Sequence, residues 1–158
     1  MTAAQPGEAQ GFTIDEGTHT IRFERRVAAD RARVFEAWTD AEQVAEWWDP
    51  DGERLVTCDI DLRVGGSFSF ATRQHSAMPF AGTYREITPP ERLVFESMGA
   101  TGRVTLQDVG GATRMTVEIV CQSAAQLEQF ASMGIAAGTA RTVDNLVVFV
   151  QRASSLRT

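Results

Sequence analysis

Asp59 and Asp61 are the first residues in this chain whose types and spacing suit chemistry. Two apart on a strand, they share one face, and a buried member of such a pair can act as a general acid while the other stays ionised. The commoner role is structural: Asp61 pairs with an arginine or caps the turn ahead of Arg63-Val64-Gly65-Gly66. His75, in Arg73-Gln74-His75-Ser76, follows a strand end and is a candidate general base in a loop at the cavity mouth. No nucleophile or orienting acid stands beside it, so a solvated loop histidine is the leading reading. Arg141 and Asp144 lie three apart on a helix; either they satisfy one another, or Arg141 faces a cavity and receives an anionic group. Gly65-Gly66 lacks both the GxxxxGKS/T pattern and a following helix, and reads as a turn or bulge. Cys58 and Cys121 sit singly in apolar strands without CxxC spacing, and His19 is remote from His75. Reduced core cysteines follow, with no metal site, no cofactor motif and no assigned catalytic residue.

Composition narrows the function further. The 158 residues suit one domain with one core. A net charge of −6 argues against sequence-independent nucleic-acid binding, which relies on clustered cations. All 15 cations are arginine, which favours fixed, paired charges over mobile ones. No run is long and apolar enough to span a bilayer, and no basic amphipathic helix suggests a membrane surface. The polar start, Met1 to Gln10, lacks the basic-then-apolar pattern of a leader, so the cytoplasm is the expected location.

The elements that must position these groups are legible from periodicity. Residues 1–17 read as a flexible tail whose end Phe12 and Ile14 pin to a single domain over 18–158. His19, Ile21, Phe23, Arg25 and Val27 alternate along a strand. Asp30 reads as the N-cap of a short helix carrying Trp38, and Thr39-Asp40-Ala41-Glu42 as a capping box for a second, carrying Trp47 and Trp48. Six strands follow, at about 55–62, 67–73, 80–88, 92–98, 103–109 and 113–121. Ser123-Ala124-Ala125-Gln126 opens a final helix expected to run to about Arg152, a rod of roughly 42 Å. Its centre carries no charge between Gln129 and Arg141, and such a helix must be covered on most sides. Strands segregated from helices in this way predict an α+β fold in which a curved antiparallel sheet grips one long helix and encloses a cavity.

Aromatic and methionine side chains dominate the candidates for the cavity wall: Trp38, Trp47, Trp48, Phe68, Phe70, Phe80, Tyr84, Phe95, Met98, Met115, Phe130 and Met133. His75 and Arg141 are the polar candidates, and Gly134 and Gly138 permit close approach by a ligand, the sheet or a partner helix. Ordinary core packing competes for every aromatic here. Adjacent Trp47 and Trp48 cannot share a helix face, so one is expected inside and the other at a pocket mouth or half exposed.

Several runs taken together resemble the SRPBCC (START-like, helix-grip) superfamily, and within it the branch named for activator of heat-shock protein 90 ATPase homologues. They are Phe23-Glu24-Arg25, Val34-Phe35-Glu36-Ala37-Trp38-Thr39-Asp40-Ala41-Glu42 and Trp47-Trp48, then Asp61-Leu62-Arg63-Val64-Gly65-Gly66, Gly82-Thr83-Tyr84 and Pro89-Pro90-Glu91-Arg92-Leu93-Val94-Phe95, and last Gly111-Ala112-Thr113-Arg114-Met115-Thr116. The resemblance implies the helix-grip fold, a bacterial source and a link to stress response. Family members often carry Gly-Trp where this chain has Gly138-Thr139, so the missing indole implies a larger or differently shaped pocket. A small hydrophobic or aromatic ligand, held without a cofactor between the last helix and the sheet, is the expected partner. The alternatives are a co-chaperone-like module stimulating a heat-shock chaperone ATPase, and an enzyme of cyclase or hydratase type on a hydrophobic substrate, using His75, Asp61, Arg141 or Tyr84. A homodimer remains an open expectation.

Overall fold

The computed structural model describes residues 11–156. Residues 1–10 of the expected tail lie outside them. The rest of that stretch belongs to the domain: Phe12 is buried against Phe23, with ring centroids 5.9 Å apart, and Thr13–Asp15 forms β1, a short strand absent from the sequence reading.

Strand β2 (Thr20–Val27) leads into helices α1 (Arg31–Thr39) and α2 (Ala41–Trp47). Strands β3 (Thr57–Ile60), β4 (Ser67–Ala71), β5 (Phe80–Thr88), β6 (Arg92–Ser97), β7 (Ala100–Asp108) and β8 (Thr113–Val120) come next, then helices α3 (Ala124–Ser132) and α4 (Ile135–Leu156). The eight strands of the described residues form one antiparallel sheet in the order β1-β2-β8-β7-β6-β5-β4-β3. Because β2 and β3 lie far apart in that order, the two short helices must carry the chain across one end of the concave face. This is the expected curved sheet around a long C-terminal helix.

Helix α4 is gripped through one stripe. Ala136, Ala140, Val143, Leu146 and Val150 recur at helical spacing and are buried in one core with Ile21, Phe23 and Val27 of β2 and Met115 and Val117 of β8. Polar ties fix its rotation: Arg25 pairs with Asp144 at 2.6 Å, and Gln151 accepts from the Ala28 amide at 2.9 Å. Arg141 therefore does not pair with Asp144. Thr142 and Asn145 donate to the carbonyls of Trp48 and Asp49, holding the turn after α2 against α4.

Caps behave as their chemistry dictates in two of three cases. Asp30 accepts from the Arg33 amide at 2.8 Å and Ser123 from the Gln126 amide at 3.1 Å. The expected Thr39 box does not form. A single residue, Asp40, joins the two short helices, so Thr39 stays in the last turn of α1 and its hydroxyl returns to the Phe35 carbonyl.

The single final helix is also corrected. It breaks at Met133–Gly134, where Gly134 takes φ +76°, a left-handed conformation that ends α3 in the manner of a glycine C-cap. The chain then restarts as α4, 22 residues and roughly 33 Å long.

Candidate functional site

Strand pleat and helix periodicity bring one set of side chains around a hollow. From the sheet, alternation turns Phe95, Ala100, Gly102, Val117 and Ile119 inward, and Phe95, Gly102 and Ile119 form one row across β6, β7 and β8. From α4, Ile135, Gly138, Thr139 and Thr142 fall on the stripe beside the buried one, and Val143 of the buried stripe borders the hollow too. Phe130 closes the α3 side, and Trp38, Trp48, Pro50 and Phe80 close the end near the short helices. They line a cavity of about 280 Å³ between α4 and the sheet, partly open to solvent. Its size sits just under the roughly 300–1,000 Å³ of ordinary small-molecule sites.

The mouth includes the β6–β7 hairpin. Met98 and Gly99 both take positive φ, as a tight two-residue hairpin requires, and Met98 is exposed at the cavity edge. Gln126 of α3 donates to the Met98 carbonyl at 3.2 Å, tying the hairpin tip to the helix that covers the same edge.

Behind the cavity lies an aromatic stack. Trp47 meets Trp38 edge-on at 5.0 Å, Trp48 meets Phe70 at 4.8 Å and Phe80 at 5.1 Å, and Phe68 contacts Phe70, Tyr84 and Phe95 at 5.1–5.4 Å. A void of only about 10 Å³ remains among Trp47, Phe68, Phe70 and Tyr84, room for one water at most. The sequence candidates thus divide. Trp38, Trp48, Phe80, Phe95, Met98, Phe130 and Gly138 line the cavity. Trp47, Phe68, Phe70 and Tyr84 back it from the stack. Met115 is fully buried, its sulfur accepting from Trp38 Nε1 at 3.4 Å. Exposed Met133 and Gly134 fall at the helix break, while His75 and Arg141 lie on the surface, away from the cavity wall. Sequence reasoning missed Pro50, Ile135, Thr139, Thr142, Val117 and Ile119 as wall residues; the helical spacing of 135, 139 and 142 was the available signal.

Titratable groups near the wall are muted. Burial pushes the Tyr84 phenol up, keeping it neutral, and pushes the Cys58 thiol up to about 11, with Asp59 adding to the effect. Burial likewise raises Cys121, so neither cysteine is a ready thiolate. Asp61 is held by Arg63 Nε at 2.9 Å on the surface, and Asp59 is exposed. Among the described residues no group of three or more acidic, histidine or cysteine side chains is placed to hold a metal.

Glu118 borders the cavity in sequence but not in chemistry. Its neighbours Val117 and Ile119 face inward, so its carboxylate projects from the opposite face, where it bridges Arg22 (3.0 and 3.1 Å) and Arg103 (2.9 Å) across β2, β8 and β7. Burial opposes its ionisation, yet the hydrogen bonds and charges of the two arginines outweigh that and hold its carboxyl below the usual range. A depressed folded-state pKa stabilises the protein above the ordinary carboxylate range, and that contribution fades as pH falls through the depressed value. Glu118→Gln is therefore expected to lower stability near neutral pH by about 1 kcal/mol, since both arginines are partly solvated. The gap should close in acid, as urea unfolding across a pH series would show; an equal gap at all pH values would refute the assignment.

Comparison with known proteins agrees with this geometry. The structure superposes on a crystal structure from Nitrosomonas europaea with TM-score 0.79 and 22% identity, covering 90% of this chain and 99% of that one. A crystal structure from Mycobacterium smegmatis gives TM-score 0.75 at 21% identity, over 90% and 97% of the two chains. The solution structure of the AHSA1-like protein from Aeromonas hydrophila gives 0.71 at 24%, over 85% and 94%. These likenesses establish the fold. No curated protein sequence matches the chain significantly. The family model described as activator of Hsp90 ATPase homolog 1-like protein matches residues 28–151, and the chain belongs to that family.

Proposed function

We propose that this protein binds a small apolar molecule in the cavity between α4 and the sheet. The observation that carries the reading is a hollow of about 280 Å³ within an otherwise close-packed interior, walled by aromatic and aliphatic side chains. Interiors of this kind normally leave few voids larger than a water molecule. The side chains of its wall lack packing partners on the cavity side, and an apolar ligand supplies them.

Thr139 tests the reading, because its side chain projects from the middle of the α4 wall. Thr139→Trp places an indole in the hollow. Naphthalene, titrated by calorimetry, is expected to bind the wild type and to lose measurable binding to the variant. Folding stability should hold or rise by about 1 kcal/mol, as cavity filling commonly gives. Equal naphthalene binding by both proteins would remove the proposal.

The family description supports a second reading, a protein-interaction module that stimulates a heat-shock chaperone ATPase. The sheet leaves β3 as an edge strand, flanked by exposed Val56, Leu62 and Val64, which would suit such contact. Chaperone ATPase turnover unchanged by saturating protein would eliminate it.

A further inference from the structure

Resting on the ligand-binding reading above, we infer that the cavity selects uncharged ligands carrying one hydroxyl-type group, and that Thr139 is the residue that recognises it. Among the described residues no charged group faces the hollow. Glu118 is the one ionisable side chain among the described residues that border the hollow, and its carboxylate is turned to the opposite face and held by Arg22 and Arg103. Arg25 and Asp144 satisfy each other outside, and exposed Arg141 is not in the wall. A carboxylate or ammonium entering this space would give up water without gaining a partner.

Two of the hydroxyls that border the hollow are already engaged. Ser97 donates to the Ala81 carbonyl at 2.6 Å, and Thr142 donates to the Trp48 carbonyl at 2.9 Å. Thr101 alternates with inward Ala100 and Gly102, so its side chain points away from the concave face. Thr139 remains. It lies one turn beyond Ile135 on the cavity stripe, half-buried at the hollow, whereas the Ser97 and Thr142 hydroxyls are already engaged. It offers a donor and an acceptor to whatever enters.

Three probes of similar size separate the possibilities: naphthalene, 1-naphthol (neutral at neutral pH) and 1-naphthoate. The test uses the full chain and calorimetric affinities for wild type, Thr139→Val and Thr139→Ser. The naphthol-to-naphthalene affinity ratio is expected to fall about three- to tenfold in Thr139→Val, the range for one lost hydrogen bond, and to stay at the wild-type value in Thr139→Ser. Far-ultraviolet circular dichroism and a wild-type urea midpoint report that Thr139→Val is folded. Naphthoate should bind the wild type at least about tenfold more weakly than naphthol. A ratio that Thr139→Val leaves in place, or naphthoate binding as tight as naphthol, overturns this inference while naphthalene binding keeps the ligand-binding reading. Failure of all three probes on the wild type sinks both.

Discussion

Trp47→Ala is expected to destabilise the protein by about 3–5 kcal/mol, the range for emptying a fully buried large aromatic site. Two effects add there. The ring lies under Trp38 and Trp48, at 5.0 and 5.7 Å, so its removal leaves both without a floor. Its Nε1 also donates to the Ala37 carbonyl at 3.0 Å. That carbonyl lies in the last turn of α1, where the helix ends before a fourth-neighbour amide can reach it, so Trp47 satisfies an acceptor that would otherwise be buried unpaired. Trp47→Phe separates the two contributions. It keeps much of the packing and loses the hydrogen bond, and a smaller loss of about 1–2 kcal/mol is expected. Urea midpoints followed by far-ultraviolet circular dichroism measure both. An alanine variant losing less than about 1 kcal/mol would show that α1 and α2 are not braced through this ring.

Trp47 and Trp48 show what sequence can and cannot disclose. Adjacency on a helix already requires that the two rings diverge, and the structure places Trp47 at 1% exposure while Trp48 remains half-buried at the cavity. Which one goes inward depends on the Ala37 carbonyl, a partner supplied by another helix. Alternation and caps were likewise sufficient for the six strands after α2 and for Asp30 and Ser123. Three residues of β1 were too few for alternation to register. The break at Gly134 hid among small residues that read equally well as close-packing positions, although glycine after a methionine at a helix end is a C-cap signal. The Glu118 bridge needs strand register, since Arg22 and Arg103 lie 96 and 15 residues from it in the chain. The wall itself was half legible. Aromatics announced themselves by type, whereas Thr139 and Ile135 matter by position alone.

Register also explains two glycines on the inner face, and they give the second large effect. Phe68 is paired with Gly82, and Phe95 with Gly102; each ring lies across its glycine where a Cβ would stand. At Gly82 an added Cβ would come 2.3 Å from the Glu96 backbone oxygen and 2.5 Å from the Phe68 ring. The ring could turn, but the carbonyl belongs to β6 and moves only if β5 and β6 part beside the bulge at Tyr84/Glu86. Gly82→Ala is therefore expected to cost about 3 kcal/mol, at the upper end for overpacking. At Gly102 the three nearest atoms all belong to the Phe95 ring, the closest at 2.4 Å, and none of the three is backbone. That ring borders the 280 Å³ hollow and can swing into it. Gly102→Ala should then cost less, about 1 kcal/mol, while reducing naphthalene binding because Phe95 occupies part of the space. Denaturation and calorimetry on the two variants make opposite rankings: Gly82→Ala is worse for stability and Gly102→Ala is worse for binding per unit of stability lost. The reverse order would mean that Phe95 is fixed by its neighbours and that the cavity wall is rigid.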